Sequence, residues 1–197
     1  MDAPALDAPE DVRSLHEQLC AAERDAEALV AGLSEPQGAW RPEPGSWSVA
    51  ECLDHLATAN RVYLSAMREP AGRARARGRR RRGPAQPGWL GALFVRTFEP
   101  PPKWWSTLQA PRKIRPRRAP PLAEAFAGFM GSHGEVRAFL LAHADLDLAG
   151  ALFPNPFVPG LRLSLATGIH VLAAHARRHL WQAWRIRRAM EASVELQ

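Results

Sequence analysis

Two histidines, His175 and His179, lie four residues apart in the segment HVLAAHARRHLWQAW, which covers residues 170–184. Side chains at i and i+4 of a helix share one face, with Cβ atoms about 5–6 Å apart, so two imidazoles at this spacing can converge on one metal ion. Gln182 follows three residues after the second histidine. The pattern indicates half of a metal site, and the alternative is a pair of polar residues on a helix surface.

The helical sector that holds the two histidines is largely apolar. Because successive residues of a helix turn by about 100°, this sector also contains Leu172, Gln182 and Ile186. A buried imidazole needs a partner for each ring nitrogen, and a single histidine usually finds its partners through hydrogen bonds. We therefore expect the pair to face the protein interior, and a metal site would need a third ligand from elsewhere in the chain.

Five further histidines are candidates for the third ligand: His16, His55, His133, His143 and His170. His55 is the first choice, because it lies about two turns into a helix with a well-defined start. His133 is the second choice, because it lies on an apolar stripe. HxxxH recurs by chance in helices, so spacing alone leaves open both a metal site and ordinary hydrogen bonding in the core.

Four segments with helical apolar periodicity predict an all-α fold, a four-helix bundle. They cover about residues 12–33, 48–69, 121–144 and 164–191. Ser48 and Glu51 fit a capping box at the start of the second helix, and Pro70 is expected to end it. A long crossover, roughly residues 69–120, joins the second and third helices and is long enough to leave them parallel. No convincing strand is found, and WLGALFV in the crossover is ambiguous.

The positive charge of the chain is concentrated in this crossover. The net charge is +6, and residues 71–121 contain 14 lysines and arginines but one acidic residue, Glu99. The part at about 71–88 is rich in arginine and glycine and poor in apolar residues, which predicts a disordered insert. The length of 197 residues predicts a single domain, 1–197.

Several classes of protein are disfavoured by composition. The N-terminus has no basic region followed by an apolar stretch, and no apolar run is long enough to cross a bilayer, so we expect neither a signal peptide nor a membrane partner. Cys20 and Cys52 form no CxxC pair, which favours a cytoplasmic location. Arginines with Trp89, Trp104 and Trp105 are compatible with a nucleic-acid-associated protein, but a solvated insert is favoured.

The tryptophan content predicts a homodimer. Seven tryptophans, together with Leu180, Trp181 and Trp184 away from the histidine face of the fourth helix, supply more apolar surface than one small bundle easily covers.

Two segments resemble the DinB-like superfamily of bacterial four-helix proteins. They are WRPEPGSWSVAECLDHLA, at residues 40–57, and the later HxxxHxxQ of HVLAAHARRHLWQAWRIR. The resemblance covers about residues 10–190 without the arginine-rich insert, which departs from the compact pattern. It implies an up-down-down-up bundle and a divalent metal held by His55, His175 and His179.

The same resemblance extends to thiol-dependent enzymes, namely bacillithiol S-transferases and mycothiol-dependent maleylpyruvate isomerases. It implies a small-molecule substrate and a low-molecular-weight thiol cosubstrate. Three imidazoles leave a coordination position open for water or a thiol, and zinc, nickel or iron would suit nitrogen ligands. The sequence thus favours a metal-dependent thiol transferase or hydrolase over a non-catalytic bundle, and assigns no catalytic residue. Glu51 is interpreted as a cap rather than a base, and Asp54 as solvated.

Overall fold

Six α-helices and one small sheet account for most of the residues that the structure, a computed structural model, describes, namely 7–101 and 110–195. The helices are α1 (Glu10–Val30), α2 (Glu35–Ala39), α3 (Val49–Ala76), α4 (Trp89–Arg96), α5 (Leu122–Ala142) and α6 (Leu165–Glu195). Arg112–Ile114 form a 3-10 helix, and β1 (Leu152–Pro154) pairs antiparallel with β2 (Arg162–Ser164). The all-α class is therefore confirmed. The four predicted helices correspond to α1, α3, α5 and α6.

The four long helices bury the apolar stripes that the sequence predicted. Helices α1 and α3 each contact both α5 and α6. The stripe of α1 is buried at Val12, Leu15, Leu19, Ala22, Ala26 and Leu29. Two groups of buried residues form the core, one around Met67 and Phe153 and the other around Leu53 and Phe129.

Polar contacts between the helices show how each pair is aligned. The contacts of α3 with α5 and the turn after it follow the same chain direction in both segments: Asn60 with Ser132, Arg68 with Glu135, and Arg75 with Asp145. Between α1 and α6 they advance in the same way: Gln18 with Arg177, Asp25 with Trp184, and Leu29 with Arg187. Between α3 and α6 the order reverses, since His55 meets His175 whereas Met67 lies against the earlier Gly168.

The start of α3 is fixed by the predicted capping box. The Ser48 hydroxyl accepts a hydrogen bond from the Glu51 amide at 3.2 Å, and the Glu51 carboxylate accepts one from the Ser48 amide at 2.9 Å. Glu51 is also held by the guanidinium of Arg41 at 2.6 Å. These bonds satisfy donors that a helix N-terminus leaves without intrahelical partners, so the first turn of α3 is firmly placed.

The end of α3 lies further along the chain than predicted, since the helix continues through Pro70 to Ala76. Proline removes one backbone hydrogen bond of a helix interior and normally bends or ends the helix. Here Pro70, Ala71 and Ala74 are buried, which favours continuation of the helix against the core.

The arginine-rich segment after α3 makes contacts that the sequence did not predict. Asp11 of α1 accepts hydrogen bonds from the Arg81 guanidinium at 2.6 Å and from the backbone amide of Ala85 at 2.5 Å. Arg80 forms a β-bridge with Leu146 and an ion pair with Asp145. These contacts give the segment a defined position against the body of the protein.

Two elements add to the four predicted helices, one a short helix and the other a hairpin. WLGALFV, the ambiguous part of the crossover, is helical and belongs to α4. The β1–β2 hairpin was missed, because strands of three residues are too short to show alternation. Its turn is organised by Asn155, whose side-chain oxygen accepts from the amides of Phe157 and Val158. Within the described residues, no helix combines the length and apolar character needed to cross a membrane.

Candidate metal centre

Three histidines from two helices meet inside the protein. His55 on α3 and His175 and His179 on α6 each offer one ring nitrogen, and the three nitrogens lie within 4.8 Å of one another. The Nε2 atoms of His55 and His175 are 3.1 Å apart. All three side chains are buried. The structure thus brings together the residues that the sequence and the family resemblance singled out, in an arrangement compatible with a divalent metal.

The two helices position these side chains by simple geometry. His175 and His179 are one turn apart on α6, with ring centroids at 4.6 Å, as the i, i+4 spacing predicts. His55 lies seven residues after the Ser48 cap, close to two helical turns into α3. Because the cap fixes the start of α3, it also fixes the height at which His55 faces α6.

Hydrogen bonds to the outer ring nitrogens orient two of the imidazoles. His55 Nδ1 lies 2.5 Å from the backbone oxygen of Ile114, and His179 Nδ1 lies 3.0 Å from the side-chain oxygen of Gln182. An oxygen of either kind can only accept, so each Nδ1 carries the proton and each Nε2 presents a lone pair. This is how second-layer partners usually hold a metal-binding histidine.

The donor set fits a cation better than it fits a hydrogen-bonded core. His55 presents its Nε2 lone pair to the Nε2 of His175, and the Nε2 of His179 presents another lone pair. One proton on His175 can satisfy only one acceptor, whereas a single ion can be shared by three nitrogens. Three neutral nitrogen ligands are the donors that zinc, nickel and iron accept.

Burial keeps the cluster in the neutral form that can bind metal. Desolvation lowers the pKa of His175 and of His179 well below the ordinary 6.5, and repulsion from His55 and Arg178 lowers both further. Burial also lowers the pKa of His55, although its bond to Ile114 opposes the shift. Since protonated imidazole cannot ligate, all three are ready to bind at neutral pH.

Aromatic rings and the crossover surround the histidines. The Trp47 ring lies 4.8 Å from His55 and 5.6 Å from His179 between centroids, and Phe98 meets His175 edge-on at 5.7 Å. Ile114, itself buried, closes the side near His55. These apolar groups limit access of water and strengthen electrostatic interactions at the cluster.

The other candidate histidines lie apart from this cluster and have different contacts. His133 Nδ1 lies 3.3 Å from the carboxylate of Glu23. His143 contacts the Phe139 carbonyl, and His170 contacts the Ala85 carbonyl at 3.1 Å. His16 lies 3.6 Å from the sulfur of Cys20. Within residues 7–101 and 110–195, only the cluster of His55, His175 and His179 has the geometry of a metal site.

Asp54 corrects a sequence prediction, because it is buried rather than solvated. Its carboxylate accepts hydrogen bonds from the backbone amide and the guanidinium Nε of Arg117, each at 2.8 Å. This pair ties the crossover to α3 beside His55. Glu51 has the predicted capping role.

The sequence also missed Phe98 and Ile114 as parts of the site. A signal for the second was present, since Ile114 is the one large apolar residue in the basic stretch PRKIRPRRAP. Trp104 and Trp105, which the sequence tied to nucleic-acid binding, lie outside the described residues.

Comparison with known proteins identifies one family. The model of the DinB superfamily matches residues 18–183, a span that includes all three clustered histidines. No curated protein and no solved structure matches the chain.

Proposed function

Because the chain belongs to the DinB superfamily, we propose that it is a metal-dependent enzyme whose divalent ion is bound by His55, His175 and His179. One observation carries the proposal: the ring nitrogens of these three buried side chains converge within 4.8 Å. Three protein ligands leave at least one coordination position for a reactant, which is typical of catalytic rather than structural sites.

The proposed reaction is activation of a thiol or of water for attack on a small-molecule substrate. Bound zinc, nickel or iron would act as a Lewis acid that lowers the pKa of a coordinated thiol or water. The family resemblance favours a low-molecular-weight thiol as cosubstrate, and therefore S-transfer. Cys52 is a poor source of that thiol, because it is completely buried and burial strongly raises its pKa.

The chain itself contributes orientation and exclusion of water. The carbonyl of Ile114 and the side chain of Gln182 hold the Nε2 atoms of His55 and His179 toward the centre. Trp47 and Phe98 cover the imidazoles with apolar surface. A reactant at the open position would therefore meet a dry and rigid environment, in which little reorganisation is needed during the reaction.

The proposal includes the bundle that supports the site. We place α1, α3, α5 and α6 in a single domain, 1–197, as an up-down-down-up bundle with the long crossover between α3 and α5. The aligned contacts of α3 with α5 and of α1 with α6 support parallel pairs. The reversed order between α3 and α6 supports an antiparallel pair.

Metal analysis of the protein purified without a histidine tag tests the proposal. The wild type is expected to bind one divalent ion after reconstitution with zinc, nickel or iron. His55→Ala, His175→Ala and His179→Ala should each lose most of the metal, since two ligands hold an ion far less well than three.

His133→Ala is the matched control, because His133 is an equally buried histidine that lies outside the cluster. It should keep the metal. Full metal occupancy in His55→Ala, or none in the reconstituted wild type, would mean that the three histidines are core residues and do not form the proposed metal site.

We also propose that the enzyme is a cytoplasmic homodimer. The indole of Trp184 already has a partner within the same chain, since it donates a hydrogen bond to Asp25 at 2.8 Å. Trp181 is partly exposed on the same helix, with the Arg185 guanidinium 4.9 Å from its ring centroid, and this surface could contact a partner. Sedimentation measures the oligomeric state of the wild type and of Trp181→Ser, and the variant should associate more weakly. A wild-type monomer at tens of micromolar would contradict the dimer.

A further inference from the structure

The solvent-facing side of α4 is apolar. Trp89, Leu90 and Leu93 are exposed by 77, 62 and 57%, more than any other large apolar residue in the described part of the chain. At 100° per residue, Trp89, Leu93 and Arg96 lie on one face, with Leu90 at its edge. Contiguous apolar surface of this kind typically marks a site of interaction.

This exposure does not come from a loosely attached helix, because the opposite side of α4 is packed. Val95 is buried, and Phe94 and Phe98 pack against the core. Gly91 lies so close to α6 that a Cβ atom there would come within 2.5 Å of the Thr167 hydroxyl. The helix therefore presents its three exposed side chains from a fixed position.

Cations flank α4 along the chain, in the segments of the crossover before and after it. Six exposed side chains form no ion pair or hydrogen bond with any described residue: Arg77, Arg82, Arg96, Arg112, Lys113 and Arg118. Glu99, the one acidic residue of the segment 71–121, is already paired with Arg177. The crossover therefore joins an exposed apolar face to uncompensated positive charge.

We infer that the outer face of α4 docks on an anionic lipid surface. In this arrangement Trp89, Leu90 and Leu93 enter the boundary between headgroups and acyl chains, and arginines such as Arg82 and Arg96 pair with lipid phosphates. Apolar residues with flanking cations bind anionic membranes in this way, and tryptophan is favoured at that boundary. The contact is peripheral and requires no membrane-spanning helix, and it departs from the sequence-based expectation of no membrane partner.

Two other occupants fit the face less well. A nucleic acid would use the cations and the Trp89 ring, but it would leave Leu90 and Leu93 against water. A second copy of the chain would meet this face symmetrically and bring two like-charged Arg96 side chains together. A lipid surface uses both the apolar and the charged part of the face.

Vesicle binding tests the inference with full-length protein. Vesicles of phosphatidylcholine containing phosphatidylglycerol should bind the protein, and vesicles of phosphatidylcholine alone should not. Trp89→Ser with Leu93→Ser should weaken binding at least about tenfold through lost apolar burial. Arg82→Gln with Arg96→Gln should weaken it about fivefold for each cation removed.

Leu152→Ser is the matched apolar control, since Leu152 is 46% exposed but lies in β1, and Arg162→Gln is the charge control. Both should bind vesicles as the wild type does. Helicity and metal content should be unchanged in all variants, so a failure here is distinguishable from a failure of the metal proposal.

Three results would overturn the inference. One is no binding to anionic vesicles at low salt, and another is equal weakening by the control variants. The third is that the double variant Trp89→Ser with Leu93→Ser still binds vesicles but no longer forms a dimer, or no longer binds double-stranded DNA, where the wild type does.

Discussion

The hydrogen bonds on the far side of the imidazoles decide which nitrogen faces the centre. His55 is oriented by a backbone carbonyl, that of Ile114, which no side-chain substitution removes. His179 depends instead on the side chain of Gln182, which can be replaced. The two candidate ligands therefore differ in how easily their orientation can be disturbed, and Gln182 is a positioning residue.

Gln182→Leu is expected to weaken metal binding about 10- to 100-fold without abolishing it. Leucine keeps the approximate volume, but the Nδ1 proton of His179 loses its acceptor, so the lone pair of Nε2 is no longer held toward the ion. Competition with a chelator of known affinity measures the change.

Gln18→Leu is the control, because Gln18 is exposed on α1 and its side-chain oxygen accepts a hydrogen bond from Arg177 rather than from a histidine. An unchanged metal affinity in Gln182→Leu would mean that packing alone orients His179.

Sequence patterns identified the site residues that share a helix and missed those that meet across the fold. The i, i+4 spacing and helical rotation were enough to group His175, His179 and Gln182. His55 was selected by its position relative to a cap and by the family resemblance. Ile114 and the Asp54–Arg117 pair were not found, because no periodicity relates segments that meet only in the tertiary structure.

Helix α3 combines a capped start with a site residue two turns later. Helix ends fray when their terminal amides lack partners. The reciprocal bonds of Ser48 and Glu51 prevent this at the end of α3 that lies beside Trp47 and His55. The cap is therefore expected to affect the site as well as the stability of the helix.

Ser48→Ala is expected to lower the free energy of unfolding by about 1 kcal/mol, the usual cost of losing an N-cap. Because Ser48 is buried, the amide of Glu51 would also lack water as a substitute partner. Denaturant titration of the metal-free protein measures the loss.

Ser34→Ala supplies the comparison, since Ser34 caps the exposed five-residue helix α2. It should cost less. Equal losses of unfolding free energy for both variants would show that the cap of α3 contributes no more to stability than the cap of α2.

Long helices were predictable from periodicity, whereas the connections depended on particular contacts. The apolar stripe of α1 and the capping box of α3 were read directly from residue spacing. The extension of α3 beyond Pro70 was not, because burial of Ala71 and Ala74 outweighs a local rule. The contacts of Asp11 with the arginine-rich segment bridge about 70 residues, which leaves no local signature.

Burying three imidazoles links the stability of the protein to pH. The pKa values of His55, His175 and His179 are lowered by burial in the folded state but are ordinary, 6.5, in the unfolded chain. Below that value the unfolded chain takes up protons that the folded state does not. Stability therefore falls as pH decreases, and it is recovered above the unfolded pKa.

The metal-free wild type should lose stability between about pH 6.5 and 5 with a slope of up to about 1.4 kcal/mol per pH unit for each excluded proton. Denaturant unfolding at a series of pH values measures this slope. His175→Gln should reduce it, since glutamine does not titrate. An identical slope in wild type and His175→Gln would show that this imidazole is protonated equally in both states.

The centre joins parts of the chain that are far apart along it, and this affects when it can assemble. His55 and His175 are 120 residues apart, and the carbonyl that orients His55 lies 59 residues away from it. Closing long loops costs entropy before distant contacts can stabilise them, so such contacts tend to form slowly. The complete cluster of three histidines thus exists only after α3, the crossover and α6 have met. A metal at the proposed site would accordingly be loaded late in the life of each newly made chain, and it would stabilise the finished fold rather than initiate it.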